Sequence, residues 1–260
     1  MDIPYFFFNQ LISRYLKRGG YVFILLVVPS LLYGKDSLDR AKRAYLLRNN
    51  TQSIYYARQS LLESFNDEAL YFLGLNYLKL GDYKKAREFF RKVIENFETS
   101  PFYQVSLVKF ADTYFLENKW DRAEELYNHI LRESLALDYK PLIYLRLAQI
   151  SAKIGKWGKK KEYLKIISTR YPHTIEKKYA QILQKRGDFF TIQVGAFASK
   201  RNALQIMRDL KSKYPVYLVE EREKNLIFYK VRVGRFGDKE AASRVYRSLV
   251  EEGYAAQIYP

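Results

Sequence analysis

The 260-residue chain has no cysteine. That excludes disulfide scaffolds, thiolate zinc sites, thiol nucleophiles and a lipid anchor on an N-terminal Cys. Histidine is nearly absent too. His129 and His173 stand far apart, so metal or base chemistry built on clustered histidines has no footing. No metal or other cofactor is expected. No nucleophile–base constellation and no carboxylate pair stands out, because a strand sends the adjacent Glu220 and Glu221 to opposite faces. Acidic residues are in deficit, 28 against 45 Lys and Arg, a net charge of +17. A partner carrying negative charge is expected: nucleic acid, a membrane face or an acidic polymer. What is present is enough to fold. The hydrophobic class makes up 48% and charged residues 28%, with room for two domains of ordinary size. Aromatics reach 17%, including 24 Tyr and 17 Phe, an excess that calls for a packing or binding role.

Residues 1–34 read as an address. Tyr21 to Leu32 is an apolar run interrupted only by Pro29 and Ser30, with Arg14, Lys17 and Arg18 before it and Gly34 after it. Basic flank, apolar run and small exit residue are the parts of a secretory signal. The run is short of the ~20 residues that span a bilayer, yet Tyr5 to Phe8 makes the preceding segment greasy enough for an uncleaved inner-membrane anchor. Both forms place the rest of the chain outside the cytoplasm.

The middle repeats itself. Leu70, Leu73, Gly74, Tyr77, Gly81, Tyr83, Ala86 and Phe90 recur 37 residues later as Leu107, Phe110, Ala111, Tyr114, Asn118, Trp120, Ala123 and Tyr127. A further 37 residues on they return as Tyr144, Leu147, Ala148, Ser151, Gly155, Trp157, Lys160 and Leu164. Each unit holds two helix-period patterns separated by a turn at Gly81, Asn118 or Gly155. Gly74 and Ala86, like Ala111 and Ala123, lack bulk and suit the closest approach of two helices. Tyr83, Trp120 and Trp157 open the second helix of each unit and suit the gap between neighbouring hairpins. The Lys159-Lys160-Lys161 run reads as a solvated helix start rather than a specific anion site.

These residues resemble the tetratricopeptide repeat over roughly 67–171. The first unit fits well, whereas the third departs at Ser151 and at Lys160, where Ala is expected. A lysine there is hard to bury, which implies a loose or terminal hairpin. The spacing exceeds the usual ~34 residues, which implies longer helices or links. The resemblance implies recruitment of a protein partner, unidentified here, and not catalysis. Residues 35–66 read as a degenerate hairpin built on Ala41, Tyr45, Ala57 and Leu61. Thr174 to Arg186, after Pro172, reads as a short capping helix ended by Gly187. The helical region with its cap therefore runs over 67–188.

From Phe189 the helical period gives way to alternation. Phe190–Gly195, Pro215–Glu221, Leu226–Gly234 and Ala255–Tyr259 read as strands, and Ser199–Lys213 and Lys239–Glu251 as helices. The order βαββαβ predicts an antiparallel sheet with two helices on one face. The expected fold is thus an all-α helical-repeat solenoid followed by a small α+β domain over 189–260. The joint falls at Gly187-Asp188, with no Pro/Ser/Gly-rich tether. Gln193-Val-Gly-Ala-Phe197 echoes Arg232-Val-Gly-Arg-Phe236. Each reads as a strand end, a tight glycine turn and a Phe plugging the strand–helix corner.

With Ile192, Val194, Tyr229, Val231, Val233, Ala256 and Ile258 turned inward, the opposite face carries Thr191, Gln193, Phe228, Lys230, Arg232, Gln257 and Tyr259. A Phe among Gln and cations is an unusual solvent face. Rings stack on sugar faces, Gln bonds to hydroxyls and acetamides, and cations meet carboxylates.

The Gln-Val-Gly-x-Phe strand end, Asn202-Ala203 on the helix and Tyr229-x-Val-x-Val-Gly-x-Phe236 resemble the SPOR (sporulation-related repeat) domain, almost end to end over 189–259. The resemblance implies binding to septal peptidoglycan, with preference for glycan strands stripped of peptide by amidases. It implies contacts at Gln193 and Phe228, with Ala196 at the groove edge. Lys230 and Arg232 complete the candidate site. Two other classes compete. A basic aromatic βαββαβ sheet also describes RNA-recognition modules, but the third strand lacks their Gly-aromatic-Gly pattern and export would remove the chain from RNA, so no nucleic acid partner is expected. A wall-glycan hydrolase would need a carboxylate pair that is missing.

Overall fold

The computed structural model describes residues 37–223 and 226–260. The address segment at 1–34, with Tyr21 to Leu32, lies outside the described residues. The chain divides into two compact units, the first ending at Lys119 and the second running from Trp120 to Pro260. Among the described residues no helix is long and apolar enough to cross a membrane.

The first unit is helical. Residues 37–46 form α1, followed by α2 (Asn50–Glu63), α3 (Asp67–Lys79), α4 (Tyr83–Asn96) and α5 (Tyr103–Leu116). Asn49, Asn66 and Asp82 cap α2, α3 and α4, each side chain accepting from the backbone N–H three residues on. Ala41, Ala57, Leu73, Tyr77, Ala86 and Phe90 form the core. Gly74 sits against the Phe90 ring. A Cβ there would lie 2.5 Å from Phe90 Cε1, so glycine is what lets α3 and α4 close together. A buried polar relay runs beside this core: Asn76 donates to Ser53 Oγ at 2.8 Å, and Ser53 donates to the Ala41 carbonyl at 2.9 Å. Arg87 on α4 pairs with Glu117 at the end of α5. The turn residues Gly81 (φ 78°) and Asn118 (φ 60°) are both left-handed, the conformation that fits the repeat's turn position.

The second unit holds α6 (Trp120–Arg132), α7 (Lys140–Lys153), α8 (Trp157–Arg170) and α9 (Ile175–Lys185), then a sheet domain. Gly155 (φ 77°) makes the α7–α8 turn and Gly187 (φ 79°) ends α9. The sheet domain runs β1 (Phe190–Phe197), α10 (Lys200–Lys211), β2 (Val216–Glu223), β3 (Leu226–Phe236), α11 (Lys239–Glu251) and β4 (Gln257–Tyr259). Its four strands are antiparallel in the order β2-β3-β1-β4. Both helices pack on one face, where Ile192, Val194, Val231 and Val233 meet Ala203, Leu210 and Leu249. The architecture is a helical repeat region followed by a small α+β domain.

The strands outrun their expected ends. Gly195 and Gly234 do not make turns, since β1 and β3 continue through to Phe197 and Phe236. The β1–β3 register slips by one residue between Gln193 and Gly195 and again between Phe190 and Ile192. These are β-bulges, in which one extra residue on a strand re-aims those that follow. Each glycine lies under the ring two residues on. A Cβ on Gly195 would come 2.5 Å from Phe197 Cζ, and one on Gly234 would collide with Phe236. Gly234 also has φ 68°.

Candidate functional site

The bulge at Val194-Gly195 builds the free sheet face. In strict alternation Gln193 and Ala196 would point to opposite sides. With the extra residue, Gln193 pairs Arg232 and Ala196 pairs Lys230, which places all four on the face away from the helices. Three cross-sheet rows result. Tyr217, Arg232, Gln193 and Gln257 form one, Val219, Lys230 and Ala196 the next, and Glu221 and Phe228 the third. Ala196 and Gln257 are exposed, while Gln193, Phe228, Lys230 and Arg232 are half-buried. The five sequence-derived site residues thus share one surface.

Several side chains there are already engaged. Lys230 Nζ lies 2.6 Å from Glu221 Oε2. That hydrogen bond, with the charges of Lys230, Arg186 and Arg232, outweighs burial and holds the Glu221 carboxyl below the usual carboxylate range. The Arg232 guanidinium lies 4.3 Å over the Tyr259 ring. Arg235 lies 5.0 Å from the ring centroids of both Tyr217 and Phe189. Thr191 does not face solvent as expected: it is 1% exposed. Tyr217 donates to its hydroxyl at 2.9 Å, and that hydroxyl donates to the Val233 carbonyl. Tyr217 and Glu221 are outward residues that reading β1, β3 and β4 alone missed. The inward parity of Val216 and Leu218 was the signal for them.

At the joint, Lys160 corrects another expectation. It occupies the small-residue position of the third hairpin and is 1% exposed. Its Nζ donates to the Gly187 carbonyl at 2.6 Å and to Asp188 at 2.9 Å, and Lys161 reaches the other Asp188 oxygen at 3.0 Å. The hairpin is terminal rather than loose. Lys160 and Lys161 form a socket for Asp188, while Lys159 is exposed and pairs with Glu162, as a solvated helix start would. Burial raises the Asp188 carboxyl, but the hydrogen bonds and charges of Lys160 and Lys161 outweigh it and leave it below the usual aspartate value. Trp157 is half-buried. Its ring centroid lies 5.1 Å from that of Phe190, and its Nε1 donates to the Gly237 carbonyl at 2.8 Å. His129 lies on α6 and His173 between α8 and α9. Among the described residues no group of three or more His, Asp and Glu is placed to hold a metal.

Comparison with known proteins bears on both halves. The model of the SPOR domain matches residues 187–260, and that of the tetratricopeptide repeat matches 67–132. No curated protein matches the chain significantly. A solved structure titled MamA AMB-1 aligns over 61% of this chain and 84% of its own, at 16% identity and a TM-score of 0.44, too distant to carry an argument. The chain therefore carries a C-terminal SPOR domain preceded by tetratricopeptide repeats.

Proposed function

We propose that this chain is a non-catalytic cell-envelope protein. It holds peptidoglycan glycan strands, peptide-stripped and septal, on the free face of its C-terminal sheet, and it recruits a protein partner through its helical repeats. The observation that carries the reading is the β1 bulge, which sets Gln193 and Ala196 beside Arg232 and Lys230 on the face that also holds the half-exposed Phe228. A sugar strand stacks on the ring and bonds to the amide, and removal of its peptides clears room and frees carboxylates for the cations. Ala196, with only a methyl group, leaves the groove edge low. The apolar run Tyr21–Leu32 with its basic flank supports delivery across, or anchoring in, the inner membrane.

Sedimentation of the chain with purified sacculi, before and after amidase treatment, tests the proposal. Stronger co-sedimentation with treated sacculi and no release of soluble sugar supports it. Equal binding to both, or cleavage of either, overturns it.

A further inference from the structure

We infer that Arg186 and Arg232, gathered on the ring of Tyr259, form an anion subsite at one end of this face that takes a sugar carboxylate, one of its two cations being supplied by the helical array rather than by the sheet domain. The inference rests on the glycan reading above and names the chemistry that the strand must present.

Both guanidiniums lie over one ring, Arg232 at 4.3 Å and Arg186 at 5.6 Å from the Tyr259 centroid. Like charges brought together repel, and a ring face offsets only part of that. Among the described residues neither arginine forms an ion pair, whereas the neighbouring Lys230 has Glu221. Glu221 feels the charges of both arginines, but its carboxylate is committed to Lys230. Arg232 Nε is buried with no hydrogen-bond partner among the described residues. The cationic character extends into the joint. Partial desolvation, with the charges of Arg186 and Lys239, holds the Lys153 ammonium below the ordinary lysine value, and among the described residues no carboxylate forms an ion pair with it. A planar carboxylate between two guanidiniums would satisfy this corner.

The place fits a glycan ligand. Gln193 pairs with both Arg232 and Gln257, and Tyr259 is two residues from Gln257 on β4, so the arginine corner adjoins the amide. Arg186 is the C-cap of α9, two residues before the Asp188 that Lys160 and Lys161 grip. That grip fixes where the helical array presents its arginine.

The test uses the full chain with two probes: peptide-free glycan strands, and the same strands with their carboxyls converted to amides. The wild type should bind the native strands about tenfold more tightly than the amidated ones, the size of one charge-assisted contact. Arg186→Gln should erase that preference, binding both probes as the wild type binds the amidated form, and Arg186→Lys should restore part of it. Arg186 is exposed, so thermal unfolding should not change. An Arg186→Gln variant that keeps the preference, or weakens both probes equally, overturns the subsite while leaving the glycan face standing. A wild type indifferent to amidation does the same. A wild type that binds neither probe brings down the glycan reading itself, and the subsite with it.

Discussion

The ammonium of Lys160 and the carboxylate of Asp188 meet at 2.9 Å with the lysine side chain 2% exposed. A lysine in the small-residue position of a terminal hairpin is thereby turned into the attachment point of the next domain. The same ammonium takes the Gly187 carbonyl at 2.6 Å, and the Trp157 indole takes that of Gly237. Three contacts from one hairpin thus hold the start of β1 and the entry to α11, and no free tether separates repeat from sheet.

Asp188→Ala should destabilise the second unit by about 2 kcal/mol. Breaking a buried pair costs more than that, but Asp188 is about a third exposed and water moderates the loss. Lys160→Met in that background should recover most of the loss, since an apolar chain of similar length needs no partner. Thermal unfolding of the two variants checks this.

Acid should weaken the protein in a defined direction. The Asp188, Glu221 and Glu117 carboxyls are all held below their ordinary values by Lys or Arg partners. Their contribution is complete above the unfolded carboxylate value of about 4 and is lost as pH falls through the lower folded values. The melting temperature should hold down to about pH 5 and then drop. In Asp188→Asn the acid slope should be shallower.

Gly234→Ala should cost about 2–3 kcal/mol, from the left-handed backbone and the overlying Phe236 ring together. Gly195→Ala meets only the Phe197 ring and should cost about 1–2 kcal/mol. In the first unit Gly74→Ala should cost a similar amount despite its better helix propensity, and Phe90→Leu should relieve part of the clash. Calorimetry of the single and double variants separates these terms.

The repeat phase was legible because one position per turn, filled by Gly or Asn, carried it. Gly81, Asn118 and Gly155 recur at one interval, and all three are left-handed. The order of strands and helices was legible from the change of period at Phe189. The bulges were not, because alternation does not reveal where a strand holds one residue too many: Gly195 reads equally as a turn or a bulge until Ala196 is found opposite Lys230. Burial of Lys160 depends on Asp188, 28 residues away, and no local pattern points to that partner. The Lys230–Glu221 pair likewise depends on the β2–β3 register, which spacing alone leaves open.

That pair shapes the charge of the site. Glu221→Gln releases Lys230 and removes a carboxylate that feels the charges of Arg232 and Arg186. Affinity for an anionic strand should rise about two- to fivefold at low salt, and the gain should shrink as salt is added. Lys230→Ala should lower the affinity by a similar factor, because it removes a positive charge from the same place and leaves the Glu221 carboxylate beside the strand without that partner. Titrations at two ionic strengths distinguish the variants.

The most direct measurement is the affinity of Phe228→Ala and Gln193→Ala for peptide-free glycan strands, compared with the wild type. Loss of a stacking ring should cost about 1–2 kcal/mol, roughly five- to thirtyfold in affinity. Loss of the amide should cost about 1–3 kcal/mol. Both side chains are on the face away from the core, so the melting temperature should barely move. Folded variants that bind like the wild type would contradict the account, because they would leave the free face of the sheet with no part in holding the glycan.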